Sequence, residues 1–117
     1  MKPPDPASFL PLRPVEFQVL LALADEERHG YAIMQDAERR TDGAIVLDPG
    51  TLYRALQRMV RSGLVVESDR RPDPEVDDER RRYYRLTGLG RRVAIAETER
   101  MARLVRAARQ SRLVNEP

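Results

Sequence analysis

The chain has 117 residues, the size of one compact domain, and it contains no cysteine. Disulfides, thiolate catalysis and cysteine-ligated zinc are therefore excluded. The first residues carry no apolar signal region, and no stretch approaches the roughly 18 apolar residues of a membrane helix, so we expect a cytoplasmic protein without a membrane partner.

Charge is divided unevenly along the chain. Residues 1–79 carry 10 basic and 16 acidic side chains, a net charge of −6, whereas residues 80–117 carry 11 and 3, a net charge of +8. This asymmetry indicates either an anionic partner or an internal complement, and the composition does not decide between them.

The first predicted helix follows a proline-rich segment, residues 1–11, that we expect to be flexible, either disordered or extended. Pro14, after Arg13, is typical of a first helical turn, and the helix should end near Ala24. It is apolar almost all the way round, where a surface helix would carry one stripe. Its apolar residues are Val15, Phe17, Val19, Leu20, Leu21, Ala22, Leu23 and Ala24. Such a helix needs cover on two sides, which one small core does not supply.

Two more helices are predicted before residue 64. A polar turn at residues 25–30 precedes a second helix that should end near Arg40, and its apolar stripe is Tyr31, Ile33, Met34 and Ala37. Asp48 can cap a third helix with Pro49 at its first position. That helix should end near Ser62, where Gly63 allows a left-handed stop.

A hairpin and a long last helix complete the predicted order. Strands are expected at Leu64–Ser68 and Arg81–Leu86, joined by a long tip rich in proline and aspartate. Thr87 can cap the last helix, residues 88–112, and residues 113–117 form a tail. The helix is basic with one apolar stripe, which comprises Leu89, Val93, Ala96, Met101, Leu104, Val105 and Ala108.

Three helices followed by a hairpin are typical of a winged helix-turn-helix domain, which we place at residues 12–87. The predicted fold is thus mainly α with a small β-hairpin, extended by a long C-terminal helix. In such a domain the third helix enters the major groove of DNA.

Three local motifs support this arrangement. They are His29–Ile33 (HGYAI), Gly50–Leu64 (GTLYRALQRMVRSGL) and Arg82–Thr87 (RYYRLT) followed by Gly90. Together they resemble the PadR family over roughly Leu12 to Arg112. The resemblance implies a dimeric winged-helix regulator, usually a repressor, of the compact type in which one final helix builds the dimer interface.

Two features depart from the family pattern. The predicted wing tip, residues 73–79, is unusually acidic for a segment near phosphate, and there is no tryptophan such as some members place in a drug-binding dimer pore. Contact between the wing and DNA, and the binding of a drug-like effector, therefore stay open.

The third helix has two chemically distinct faces. Leu52, Leu56, Met59 and Val60 form an apolar face, and Arg54, Gln57, Arg58 and Arg61 lie opposite. A solvated charged face is the simpler explanation, but a recognition helix needs this kind of donor to read base edges. With the hairpin arginines added for phosphate contact, the residues expected at double-stranded DNA are Tyr31, Thr51, Tyr53, Arg54, Gln57, Arg58, Arg61, Arg80, Arg81 and Arg82. Alternatively, tip carboxylates pair with these hairpin arginines.

The sequence offers no catalytic or metal constellation. His29 is the only histidine and cannot assemble a zinc site without further ligands, so a role at a turn or helix start is expected. Gly88-Leu89-Gly90 lacks the spacing of a dinucleotide-binding loop. We therefore expect no enzyme and no cofactor. Of Tyr83 and Tyr84, which point to opposite faces of a strand, one should pack inward.

The first and last helices should build a homodimer. The expected interface residues are Val15, Val19, Val93, Met101, Leu104, Val105 and Ala108. Two hypotheses follow: a dimeric sequence-specific repressor, whose interface could hold a small apolar effector, or a winged-helix protein-interaction module whose basic last helix binds an acidic partner.

Overall fold

The computed structural model describes residues 4–69 and 82–114. The helices are α1 (Pro14–Ala22), α2 (Gly30–Arg40), α3 (Pro49–Arg61) and α4 (Gly88–Gln110), and the strands are β1 (Arg28–His29), β2 (Val65–Glu67) and β3 (Tyr83–Leu86). The mainly helical fold with a small hairpin and a long last helix is confirmed. Within the described ranges, no helix combines the length and apolar character needed to cross a membrane.

Side-chain caps fix where three helices begin. The Asp48 carboxylate accepts a hydrogen bond of 2.9 Å from the Thr51 amide at the start of α3, and the Thr87 hydroxyl accepts one of 2.9 Å from the Gly90 amide at the start of α4. His29 caps α2, because its Nδ1 accepts from the Ala32 amide at 3.1 Å. The predicted role of His29 at a helix start is thus confirmed.

Two glycines allow the start of α4 to pack closely against the end of α3. Gly63 ends α3 with a φ of 83°, in the left-handed region, as predicted. A Cβ on Gly90 would overlap the carbonyl oxygen of Leu64 and lie 3.0 Å from its carbonyl carbon. The Thr87 hydroxyl donates 2.5 Å to the Gly63 carbonyl oxygen, so the start of α4 docks directly on the turn after α3.

Among the described residues, the sheet has one strand more than the sequence predicted. Its order is β1-β3-β2, antiparallel throughout, with Arg28 opposite Tyr84 and His29 opposite Tyr83. Residues 25–30 were expected to form only a polar turn, but Arg28 and His29 pair with β3. A two-residue strand has no periodicity of its own, and its partner lies more than 50 residues away.

The core lies between α1, α3 and the sheet. Leu20, Leu52, Leu56, Met59 and Leu64 are fully buried there. On α1, Val19 and Leu20 face this core, while Leu21 and, just after the helix, Ala24 are only half-buried and lie toward α4. The second apolar side of α1 is therefore incompletely covered within one chain.

Residues 6–9 adopt regular structure within the segment that was predicted to be disordered or extended. Pro6–Phe9 forms a 3-10 helix capped by Asp5, and Phe9 and Leu10 pack against the core. The segment also contacts α4, where the Leu12 amide donates 2.7 Å to Oε2 of Glu97. Residues 6–9 form a helical turn here, because apolar side chains behind the prolines reach a surface on a distant helix.

Candidate nucleic-acid interface

The burial of one side of α3 fixes which side chains face outward. Leu52, Ala55, Leu56 and Met59 are fully buried. The opposite face presents Tyr53, Arg54, Gln57 and Arg61, all of which are exposed. This face combines guanidinium groups, an amide and a phenol, which together can donate to base edges and to phosphate oxygens.

The first turn of α3 is tied together by Thr51. Its hydroxyl donates 2.7 Å to Oδ2 of Asp48 and lies 3.5 Å from Nη2 of Arg54. The hydrogen bond from the Thr51 hydroxyl, followed by that from its amide, holds the pKa of the Asp48 carboxyl below its ordinary value. Because the Thr51 hydroxyl already donates its proton to Asp48, it stabilises the start of α3 and is poorly placed to donate to phosphate.

Arg58 differs from the other arginines of this helix. It is half-buried, and its Nε is buried without a hydrogen-bond partner among the described residues. Arg54 and Arg61 are exposed. The sequence grouped these three residues on one face, but in the structure Arg54 and Arg61 are freer to reach a ligand than Arg58.

Tyr31 and Tyr53 are both exposed, and the ring of Tyr53 lies against the start of α2. Tyr31 is 52% exposed in the first turn of α2, and Tyr53 is 45% exposed on α3. A Cβ on Gly30 would lie 2.5 Å from the Tyr53 hydroxyl oxygen, so α2 begins directly against that ring. The glycine of the HGY motif therefore permits the close approach of α2 to α3.

Val60 does not belong to the apolar core face. The sequence placed it with Leu52, Leu56 and Met59, but its side chain is 42% exposed. It lines an open cleft between α3 and the wing, together with Tyr53 and Tyr84. Val60 lies at the edge of the stripe, where the core no longer covers the helix.

Only part of the predicted wing is described. Arg82 is exposed and forms an ion pair with Glu67 at 3.2 Å, across the hairpin. Arg80, Arg81 and the acidic tip, residues 73–79, lie outside the described residues. Tyr83 is buried and contacts the His29 ring edge-to-face at 5.3 Å, while Tyr84 is half-buried, so the predicted alternation is confirmed. Burial, followed by the charge of Glu67, raises the pKa of Tyr84.

The predicted dimer residues separate into two groups. Val19 and Val93 are fully buried in the core of their own chain and leave no surface for a partner. Val15, Met101 and Ala108 are half-buried, and Leu104 and Val105 are exposed. Among these predicted residues, the apolar surface available to a partner thus lies mainly on the second half of α4.

Two buried carboxylates were missed. Glu97 interrupts the apolar stripe of α4, yet it is fully buried and bonded to Leu12 and Arg100. Asp36 on α2 is buried and bonded to Arg39 at 2.5 Å and to Arg40. The position of Glu97, four residues after Val93 and four before Met101, was the signal available. Among the described residues, no group of three His, Asp or Glu side chains could hold a metal ion.

Comparison with known proteins agrees with this architecture. Residues 19–96 match the family described as transcriptional regulator PadR-like. The chain belongs to the PadR family of transcriptional regulators. It is 37% identical over 86 residues to transcriptional regulator Rv3488 of Mycobacterium tuberculosis, a match that covers 74% of this chain and 73% of that protein. The resemblance of the three motifs to PadR is therefore confirmed.

Solved structures share the fold. A PadR family transcription regulator from Clostridium difficile has a TM-score of 0.67 at 24% identity, covering 82% of this chain and 95% of its own. A transcriptional regulator from Clostridium thermocellum has a TM-score of 0.68 at 24% identity, covering 82% and 87%. RosR of H. salinarum, solved in a complex, has a TM-score of 0.63 at 28% identity, covering 87% and 85%. These neighbours confirm the predicted fold.

Proposed function

We propose that this PadR-family regulator is a cytoplasmic repressor that binds specific double-stranded DNA sites as a homodimer, with α3 as the recognition helix. The outward face of α3 carries the proposal. Arg54, Gln57 and Arg61 are exposed there, opposite side chains that anchor the helix in the core. Arginine can pair with the O6 and N7 atoms of guanine, and glutamine with the N6 and N7 atoms of adenine. Tyr31, Tyr53 and Arg82 lie at the sides of this face and are suited to phosphate contact.

Exposed apolar surface on α4 supports the homodimer. Leu104 is 56% exposed and Val105 46% exposed, although both lie in a well-formed helix. A second copy of this chain would remove this apolar surface from water, which stabilises the assembly in proportion to the area buried.

Binding to selected DNA tests the recognition proposal. Fragments retained by the protein from a random pool would be labelled, and fluorescence anisotropy would be measured for selected and scrambled duplexes at two salt concentrations. We expect at least about a thousandfold preference for the selected duplex. Equal affinity for both duplexes, or no binding at low salt, contradicts the proposal.

The interaction-module hypothesis rests on the basic second half of α4. Arg103, Arg106 and Arg109 are exposed on it. An acidic protein partner would bind there without need of the α3 face, so charge removal on α3 would leave that binding unchanged. Release of DNA by a small apolar effector at the dimer interface is a refinement of the repressor proposal, tested by adding uncharged aromatic and aliphatic compounds to the protein–DNA complex.

A further inference from the structure

One face of α4 carries opposite charges on either side of an exposed isoleucine. Arg91, Ile95 and Glu99 follow one another at four-residue intervals, so they share a face, with steps of about 6 Å along the helix axis. Ile95 is 52% exposed. Arg91 and Glu99 are about 12 Å apart along the axis, which is too far for an ion pair within the chain.

This face borders an open apolar groove of about 250 Å³ between α1 and α4. Leu20 and Leu21 of α1, with Ala24 just after the helix, form one side, and Ala94 and Ile95 of α4 form the other. Arg91 stands at one end, where its Nη2 donates 2.8 Å to the Ala24 carbonyl oxygen. Glu99 also lines the groove, and it makes no ion pair with any other residue in ranges 4–69 and 82–114.

The charge pattern is complementary to itself. Consider a face with a positive and a negative residue at equal distances from a central residue. When it meets a copy of itself across a two-fold axis that passes between the two central residues, perpendicular to the helices, each charge meets its opposite. Two-fold homodimers use this kind of self-complementary surface. The pattern therefore fits a second copy of this chain.

We propose that the two α4 helices of the homodimer cross antiparallel at Ile95, so that Arg91 of each protomer pairs with the partner's Glu99. Around such a crossing, the residue four positions before Ile95 lies opposite the residue four positions after it in the other helix. The two Ile95 side chains meet on the axis and cover the grooves. This inference rests on the proposed homodimer and adds the position of its axis and two symmetric ion pairs.

Charge reversal tests the ion pair directly, because rescue by the complementary reversal depends on the signs of the two charges and not on how deeply the side chains are buried. Arg91→Glu places a carboxylate at position 91 beside the partner's Glu99 twice in a homodimer, and Glu99→Arg places two arginines together twice. We expect each variant alone to dimerise about tenfold or more weakly than the unchanged protein, measured by analytical ultracentrifugation at low salt. In an equal mixture of the two variants, each homodimer places like charges opposite each other. The heterodimer places a glutamate opposite an arginine at both sites. Native mass spectrometry should therefore detect the heterodimer in large excess over both homodimers.

Matched variants separate the ion pair from other effects. Arg91→Gln keeps a donor for the Ala24 carbonyl and removes the charge, so it should weaken dimerisation less than Arg91→Glu. Glu38→Arg makes the same charge change as Glu99→Arg at an exposed site on α2 and should leave dimerisation unchanged. If either single variant is unfolded by circular dichroism, the double variant Arg91→Glu/Glu99→Arg restores opposite charges and should dimerise like the unchanged protein.

Different failures have different meanings. Single variants that dimerise normally, or weakened variants that neither the mixture nor the double variant rescues, overturn the pairing while the homodimer and DNA binding stand. An unchanged protein that is monomeric at micromolar concentration overturns both the pairing and the homodimer. Rescue by mixing, with no selective DNA binding by any variant, supports the pairing and contradicts the recognition proposal alone.

Discussion

The backbone amide of Leu12 donates a hydrogen bond of 2.7 Å to Oε2 of Glu97, which lies 85 residues further along the chain. Arg100 donates to the other carboxylate oxygen. The carboxylate is fully buried, and a buried charge is tolerated only with such partners. The N-terminal segment is thereby fastened to the helix that carries the proposed dimer contacts.

Removing this carboxylate should destabilise the protein. Glu97→Ala leaves the Leu12 amide and the Arg100 guanidinium without their acceptor, and we expect the free energy of unfolding to fall by about 1–3 kcal/mol. Urea denaturation followed by circular dichroism at a fixed protein concentration measures this. Glu97→Gln retains an oxygen that can accept from Leu12 and should cost less. Equal stability of Glu97→Ala and the unchanged protein would contradict the assigned role.

The same carboxylate should contribute to stability in a pH-dependent manner. The hydrogen bond from Arg100 holds the pKa of Glu97 below its ordinary value of 4.5, although burial acts in the opposite direction. A lowered pKa in the folded state means that the contribution is complete above pH 4.5 and is lost as the pH falls through the folded value. The stability difference between the unchanged protein and Glu97→Gln should therefore shrink below that pH. A difference that is constant from pH 7 to pH 3, at the same salt concentration, would contradict this.

Gly90→Ala should be severely destabilising, whereas Gly88→Ala should not. A Cβ at Gly90 would overlap the Leu64 carbonyl, which is backbone and has little freedom to move. At Gly88 the nearest atom would be Nη1 of Arg92 at 3.4 Å, an ordinary contact with a flexible side chain. We expect Gly90→Ala to cost roughly 2–4 kcal/mol, and Gly88→Ala to change stability by less than about 1 kcal/mol, with a gain from helix propensity. Thermal unfolding of the two variants side by side decides the point.

The sequence predicted what is determined by neighbouring residues. Asp48 and Pro49 start α3, Thr87 starts α4 and Gly63 ends α3, because each cap acts within one helical turn. The outward position of Arg54 and Gln57 also followed from helical spacing. These features needed no knowledge of what lies across the molecule.

Features that depend on distant contacts were missed. Glu97 looked like an interruption of an apolar stripe, since its partner Leu12 belongs to the N-terminal segment. The strand Arg28–His29 exists only through its pairing with β3. Val19 and Val93 fitted an interface stripe equally well before the position of the core was known. In each case, the deciding contact joins residues that are far apart in the chain.

A charge introduced into the apolar surface on the second half of α4 should disrupt the proposed homodimer. In the proposed homodimer, Leu104→Glu would bury an unpaired carboxylate and should shift the protein to monomers or unfold it. Val46→Glu is the control, because Val46 is 71% exposed and lies in the loop before α3, away from α4. Light scattering after size-exclusion chromatography measures the mass of each. A dimeric, folded Leu104→Glu variant would place the interface elsewhere.

Arg54 and Arg82 should affect DNA binding in different ways. If Arg54 reads a base from α3, Arg54→Ala should cost roughly 1–3 kcal/mol on the selected duplex and less on scrambled DNA. Arg82, on the wing and already paired with Glu67, should contribute nearly equally to both duplexes. Its loss should reduce the slope of log affinity against log salt by about one per phosphate contact, or about two per dimer.

The same expectation applies to Arg81. Arg58, which is half-buried, should contribute less to discrimination than Arg54.

Arg54→Lys separates charge from base reading at this position. Lysine keeps the positive charge but lacks the planar pair of donors that matches guanine. We therefore expect Arg54→Lys to retain affinity for scrambled DNA and the salt slope, while losing preference for the selected duplex. Anisotropy titrations of both duplexes at three salt concentrations measure all three quantities. If Arg54→Ala and Arg82→Ala weaken both duplexes equally, and Arg54→Lys restores both, then α3 contributes only charge, because a lost base contact must change the ratio of the two affinities.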